Sequence, residues 1–296
     1  MRAPKLVPVL VLAAASAACG RGVPGGEDAD PGAPDASSTI DGTPGPDAMI
    51  SDFTTVYAHD DDILYRVDTA TLDLIEVGPF GAALGTAGIT DIAIDKDDRM
   101  VGVSLGKIWE IDETTGTASH LADFDLGNVD GNNLTSLSFV PVSDEADSEE
   151  RLIAATSLGN VYEINVDTGE PTLLGNYGMS GGFQIASSGD IVSVRGFGTL
   201  ATVNASDEFS DPDYLAWIDT TTWEATLIGT STTGFDKIFG IGFWRGTVYG
   251  FVDHGSDAGT GSFITIDTTT GVGTVIETGN VRWWGAGVTT DAPIVD

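Results

Sequence analysis

The stretch LYRVDTATLDLIEVG, Leu64 to Gly78, is written again near the other end of the chain as FITIDTTTGVGTVIE, Phe263 to Glu277. Three further copies stand between them: IWEIDETTGTASHLA from Ile108, VYEINVDTGEPTLLG from Val161 and LAWIDTTTWEATLIG from Leu215. In each, a short apolar alternation leads to an Asp or Asn, a turn follows, and a second alternation completes the phrase. Alternation at period two marks a strand, and the turn makes each phrase a β-hairpin. The recurring positions are Asp68, Asp112, Asn165, Asp219 and Asp267. A polar residue at the same phase of every unit reads as a turn former, its oxygen accepting the turn amides, and not as five catalytic groups.

The spacings between these positions are 44, 53, 54 and 48 residues. Periods of this size in a β-rich chain indicate a β-propeller, here of five blades with four antiparallel strands each. Two more strands are expected before each hairpin. They read GITDIAID and RMVGVS, then LTSLSFV and RLIAATS, then GGFQIAS and DIVSVRG, then IFGIGFW and TVYGFVD. The first of each pair mixes small with apolar residues, which suits an innermost strand where blades crowd around the axis. The C-terminal VRWWGAGVTT, Val281 to Thr290, reads as a lone innermost strand. The N-terminal TTVYAHDDDILYRVDTATLDLIEVG lacks one. Together they make a blade, and their pairing closes the ring and removes free sheet edges.

The repeat resembles those of secreted bacterial propellers of the YVTN and quinoprotein-like group, over roughly Phe53 to Thr290. The resemblance implies the architecture and leaves the activity open, because the fold hosts many unrelated functions. The quinoprotein dehydrogenases of that group are larger, and five repeats fall short of their blade number.

Ahead of the repeats, Arg2 and Lys5 precede the apolar run LVPVLVLAAA, Leu6 to Ala15, which is too short for a membrane span and reads as a signal peptide. The following SAAC, ending in Cys19, resembles a bacterial lipobox. That resemblance implies a lipid on Cys19, the one cysteine of the chain. Ser16 stands where Leu is commonest, which leaves ordinary cleavage after Ala17 or Ala18 open. By the same resemblance, Gly20 in place of Asp argues against retention in the inner membrane and implies an anchor in the outer one. Residues 20 to 51 are rich in Gly, Pro, Asp and Ser and cannot bury enough surface to offset chain entropy. The expected domains are a signal peptide at 1–18, a lipidated acidic tether at 19–51, the propeller at 52–291 and a tail at 292–296.

The chain of 296 residues carries 45 acidic and 12 basic side chains, a formal charge of −33. Such a surface repels nucleic acid and attracts cations and basic partners. The second-to-third and fourth-to-first strand connections share one face of a propeller. On that face the sequence places His59, Asp60, Asp61 and Asp62; Asp207, Glu208, Asp211 and Asp213; Asp253, His254 and Asp257; and Asp123, Asp125 and Asp130. Hard oxygen ligands of this kind suit Ca²⁺, the one cofactor the composition points to, although none matches the calcium-loop spacing D-x-[DN]-x-[DN]-G-x₅-E. For catalysis there is no usable thiol and no G-x-S-x-G. A glycosidase needs two carboxyls near the axis, about 5–9 Å apart. Asp91 is the clearest inner-strand carboxylate, with Asp236 able to join it. Trp283 and Trp284, with Phe239 and Trp244, are read as blade packing or as a stacking platform for a ligand.

The sequence therefore predicts a monomeric, lipid-anchored propeller of the bacterial envelope, acting as a non-catalytic binding or scaffold module through its acidic face. Its partner would be a protein, glycan or small molecule. The alternative is a calcium-dependent hydrolase, lactonase- or glycosidase-like, on the same face.

Overall fold

The structure, a computed structural model, describes residues 55–85, 87–127, 134–206, 208 and 210–295. Cys19, the signal peptide, the tether, Asp130 and Asp207 lie outside the described residues.

Five four-stranded antiparallel sheets follow one another around a ring. Blade one joins β1 (Tyr57–His59), β2 (Ile63–Val67) and β3 (Leu74–Pro79) to β22 (Gly285–Gly287) from the far end of the chain. Tyr57, Ala58 and His59 pair with Gly287, Ala286 and Gly285. The shared blade predicted from the two chain ends is thus present. Blade two holds β4 (Asp91–Ile94), β5 (Met100–Ser104), β6 (Lys107–Ile111) and β7 (Ala118–Asp123). Blade three holds β8 (Leu134–Pro141), β9 (Glu150–Thr156), β10 (Asn160–Ile164) and β11 (Pro171–Asn176). A small hairpin, β12 (Met179–Ser180) and β13 (Phe183–Gln184), precedes blade four. Blade four holds β14 (Ala186–Val194), β15 (Gly198–Asn204), β16 (Tyr214–Ile218) and β17 (Ala225–Leu227). Blade five holds β18 (Ile238–Trp244), β19 (Thr247–Asp253), β20 (Gly261–Ile266) and β21 (Gly273–Gly279).

One pair of strands differs from the sequence reading. GGFQIAS was expected to be the innermost strand of its unit and DIVSVRG the second. Instead Gly181 and Gly182, both at positive φ, turn the small hairpin. DIVSV forms the end of the innermost β14, and GTLATVN is the second strand. A bulge between Ser187 and Ile191 absorbs the extra residues. The hairpin has the same small-plus-apolar composition as an inner strand, so composition alone does not distinguish the two. A smaller difference is that Trp283 and Trp284 lie ahead of β22, not in it.

The hairpin turns explain the repeat. Oδ1 of Asp68, Asp112, Asn165, Asp219 and Asp267 each accepts the two backbone N–H groups two and three residues on, at 2.7–3.1 Å. These bonds hold the carboxyls of Asp68, Asp219 and Asp267 below the usual range, and for Asp112 the Thr114 hydroxyl adds the strongest pull. Four residues after each Asp or Asn the backbone turns left-handed. Gly116, Gly169 and Gly271 fill that place in three blades, Leu72 and Trp223 in the others.

The apolar core lies between blades. Adjacent sheets face each other through residues such as Leu64 against Met100 and Trp109, or Ile153 and Val161 against Ala201. The inner strands β22, β4, β8, β14 and β18 touch their neighbours in a closed circle. Below them the chain beyond β22 runs across the lower ends of the blades. Thr289 bridges Ile94 and donates its hydroxyl to the Asp95 carbonyl at 2.8 Å. The Thr290 carbonyl accepts the Arg195 N–H at 2.8 Å, and the Pro293 carbonyl accepts the Arg245 N–H at 2.7 Å.

Candidate functional site

Asp91 is the first residue of β4 and Asp190 lies in the bulge of β14, so two inner strands carry a carboxyl to the axis. His59, the last residue of β1, meets them from blade one. All three are fully buried. Gly285 of β22 makes the space: a Cβ there would collide with both Asp91 Oδ1 and His59 Nε2. A glycine is thus required where the closing strand passes the cluster.

The donors around the two carboxyls are backbone amides. Asp190 accepts the N–H of Ile191 at 2.6 Å and, across to blade five, that of Ile241 at 2.8 Å. Its own N–H donates to the Thr202 hydroxyl, which donates to the Ile238 carbonyl at 3.1 Å. Asp91 Oδ1 accepts the Ile92 N–H at 2.9 Å, whereas its Oδ2 meets no N–H or O–H donor among the described residues. Burial pushes both carboxyls well above their usual range, and repulsion between the two pushes Asp91 further. The amide bonds favour the charge on Asp190. The contact between the two carboxyls raises Asp91 and lowers Asp190, so of the pair Asp91 is the one that keeps its proton as the donor. Through Asp190 the pair is tied to the inner strand of blade five as well as to its own two sheets.

His59 Nδ1–H donates to the Asp60 carbonyl at 2.7 Å, and Nε2 has no hydrogen-bond partner among the described residues. Burial lowers its pKa to about 4, so the imidazole is neutral at ordinary pH. Phe80 stacks edge-on against it. Nearby, Asp213 accepts the Ile238 N–H at 3.0 Å, and burial raises its pKa to about 7. Acid, carboxylate and imidazole together could move protons, but every one is sealed from solvent.

The other candidates sit on the rim where the inner strands begin. Asp60 closes its own loop by accepting the N–H groups of Asp62 and Ile63. Asp253 is buried and held in a two-point pair by Arg282, Nε to Oδ1 at 3.0 Å and Nη2 to Oδ2 at 2.8 Å. His254 contacts the hydroxyls of Thr260 and Ser262. Asp123 pairs with His120, Asp236 with Lys237, and Asp125 accepts the Gly127 N–H. Asp61, Asp62, Asp125, Glu208, Asp211 and Asp257 are exposed and form no ion pair among the described residues. No three His, Cys, Asp or Glu side chains among the described residues are grouped to hold a metal ion.

The aromatic residues do not meet at one place. Trp283 is buried between Tyr65 of blade one and Phe251 of blade five, at 5.3 and 5.2 Å between ring centres. Trp284 is half-buried beside it, Phe239 stands near the upper start of β18, and Trp244 ends that strand at the lower side. The carboxyl that meets Asp91 is Asp190, which the sequence reading passed over. A signal existed: TDIAI and GDIVS repeat the same Asp-Ile at the entry to an inner strand.

No protein-family model matches the chain, and no curated protein matches its sequence. Among solved structures it is similar to a protein of unknown function from Bacteroides caccae, at 12% identity and TM-score 0.38, covering 77% of this chain and 73% of that one. A structure from work on the de novo evolutionary emergence of a symmetrical protein gives 14% identity and TM-score 0.47 over 82% of this chain and all of the other. A 6-phosphogluconolactonase candidate from Bacteroides fragilis gives 14% identity and TM-score 0.38, over 79% and 70%.

Proposed function

We propose that the chain is a binding module without catalysis of its own, and that the acidic rim above the axis engages a basic partner. One observation carries this reading. The groups suited to proton transfer, Asp91, Asp190 and His59, are buried, whereas Asp61, Asp62, Glu208, Asp211 and Asp257 are exposed and form no ion pair among the described residues. Like charges held on adjoining loops make a surface that gains most from a cationic ligand. A lipid on Cys19 would hold this module at the envelope, with the tether as spacer.

The test is calorimetric titration with a deca-lysine peptide at two salt concentrations. The reading expects saturable binding that weakens in Asp61→Asn/Asp62→Asn and in Asp211→Asn/Asp257→Asn. Asp97→Asn, on a loop at the lower end of blade two, should leave it unchanged. Equal loss in rim and lower-face variants would reduce the effect to net charge and overturn the reading. Cys19→Ser should shift the protein from membrane to soluble fraction, and unchanged fractionation would remove the anchor from the proposal.

A further inference from the structure

The fifteen-residue phrase ends differently in the last blade. Ten positions after the turn Asp or Asn, blades one to four carry Gly78, Ala122, Gly175 and Gly229, but blade five carries Glu277. The small residues have a purpose. A Cβ at Gly78, Gly175 or Gly229 would run into the carbonyl of Thr115, Thr222 or Thr270 in the turn of the following blade. At the remaining junction of this kind the Asp123 carbonyl presses on Gly169 in the same way. Four junctions are thus sealed by an outer strand lying directly on the neighbouring turn.

The fifth, where the ring closes, is open. Glu277 replaces the small residue, and among the described residues nothing lies within 4 Å of where a Gly279 side chain would begin. Between β21 and the hairpin of blade one lies a crevice of about 460 Å³. Half-buried Tyr65 is its open aromatic wall, the nearly buried Phe263 and Trp283 lie at its floor, and Asp73, Glu277 and Asn280 supply the polar groups. Among the described residues no lysine or arginine lines it. Arg282 is close in sequence, but its guanidinium is spent on Asp253. A volume in this range with aromatic walls and a few polar groups is that of a small-molecule site. Carboxylates beside aromatic rings favour a positive charge on an apolar body.

We propose that this crevice binds an organic cation, an ammonium group carried on an aromatic or aliphatic frame. Bridging blades five and one, such a ligand also clamps the junction at which the ring closes. This site is separate from the rim and its basic partner.

Phenethylammonium and its neutral counterpart 2-phenylethanol are the probes, titrated calorimetrically into the full chain. The ammonium should bind saturably and at least tenfold more tightly than the alcohol. It should also raise the melting temperature in proportion to occupancy. Glu277→Gln, at an exposed position that leaves the fold intact, should weaken it about tenfold, and Glu277→Gly should abolish it. Asp61→Asn/Asp62→Asn should leave it unaffected, which separates this site from the rim. No saturable binding, equal affinity for the two probes, or indifference to Glu277→Gln would overturn the proposal.

Discussion

At the scale of single residues, the axial carboxyls have unequal parts. Asp91 donates a proton, so Asp91→Asn keeps a donor of the same shape and should change stability by less than about 1 kcal/mol. Asp190 accepts two amides from two strands. In Asp190→Asn one of them faces an NH₂ group, and about 1–3 kcal/mol should be lost in urea unfolding. His59 and Asp213 impose opposite pH slopes. The folded state lowers His59 to about 4 from 6.5, so its contribution is complete above pH 6.5 and lost as pH falls through 4. Asp213 is raised to about 7 from 3.8, so its contribution is complete below 3.8 and lost as pH rises through 7. At 1.36 kcal/mol per unit these are about 3 and about 4 kcal/mol. The stability of wild type minus His59→Gln should therefore rise with pH between 4 and 6.5, and that of wild type minus Asp213→Asn should fall. Parallel curves would show that neither group is held in the state described. The sequence made the turn aspartates legible because they recur at one phase. It hid Asp190 because a single strand misassigned by one hairpin put that residue on the wrong strand.

At the scale of elements, the segment after β22 acts as a strap whose anchor is Arg195. Arg195 pairs with Asp291 at 2.8 Å and with Glu150 at 3.4 Å, and donates to the Ser143 and Glu145 carbonyls at 2.9 and 2.7 Å. Thr290 Oγ1 also donates to Glu150. Both charged side chains of the Arg195–Glu150 pair are largely buried, so removing one strands the other. Arg195→Ala should cost about 3–5 kcal/mol, and Arg195→Lys should restore only part, because an ammonium cannot fill a planar fork. Thermal melts of the three proteins decide this, and an alanine variant as stable as wild type would make the strap incidental. The repeats, the hairpins and the shared blade could be read from sequence, because each is a local pattern. The strap, and the crevice at Glu277, depend on which distant backbones approach, and local patterning does not carry that.

At the scale of the whole molecule, charge opposes compactness. A net −33 spread over the chain repels itself, and screening reaches about 10 Å at 0.1 M salt. The melting temperature should therefore rise with NaCl from about 0.01 to 0.5 M. Calcium and magnesium at equal ionic strength separate general screening from a site, which an excess for calcium would reveal. A melting temperature that falls with salt would mean that the ion pairs of Arg195 and Arg282 outweigh the repulsion.

The pairing of β22 with β1 also has a temporal side. β22 is the last of the described strands to be synthesised and β1 the first. Four sheets can form in order as the ribosome delivers them, each from neighbouring segments. The fifth must wait with its inner edge bare until nearly the whole chain has emerged. The hub waits with it, since Gly285 is the residue past which His59 and Asp91 come together. Translation speed in the earlier blades therefore cannot hasten the final state. A ribosome stalled anywhere before Gly285 displays an open arc with one adhesive edge, and the encounter of the chain's two ends sets the moment at which that edge disappears.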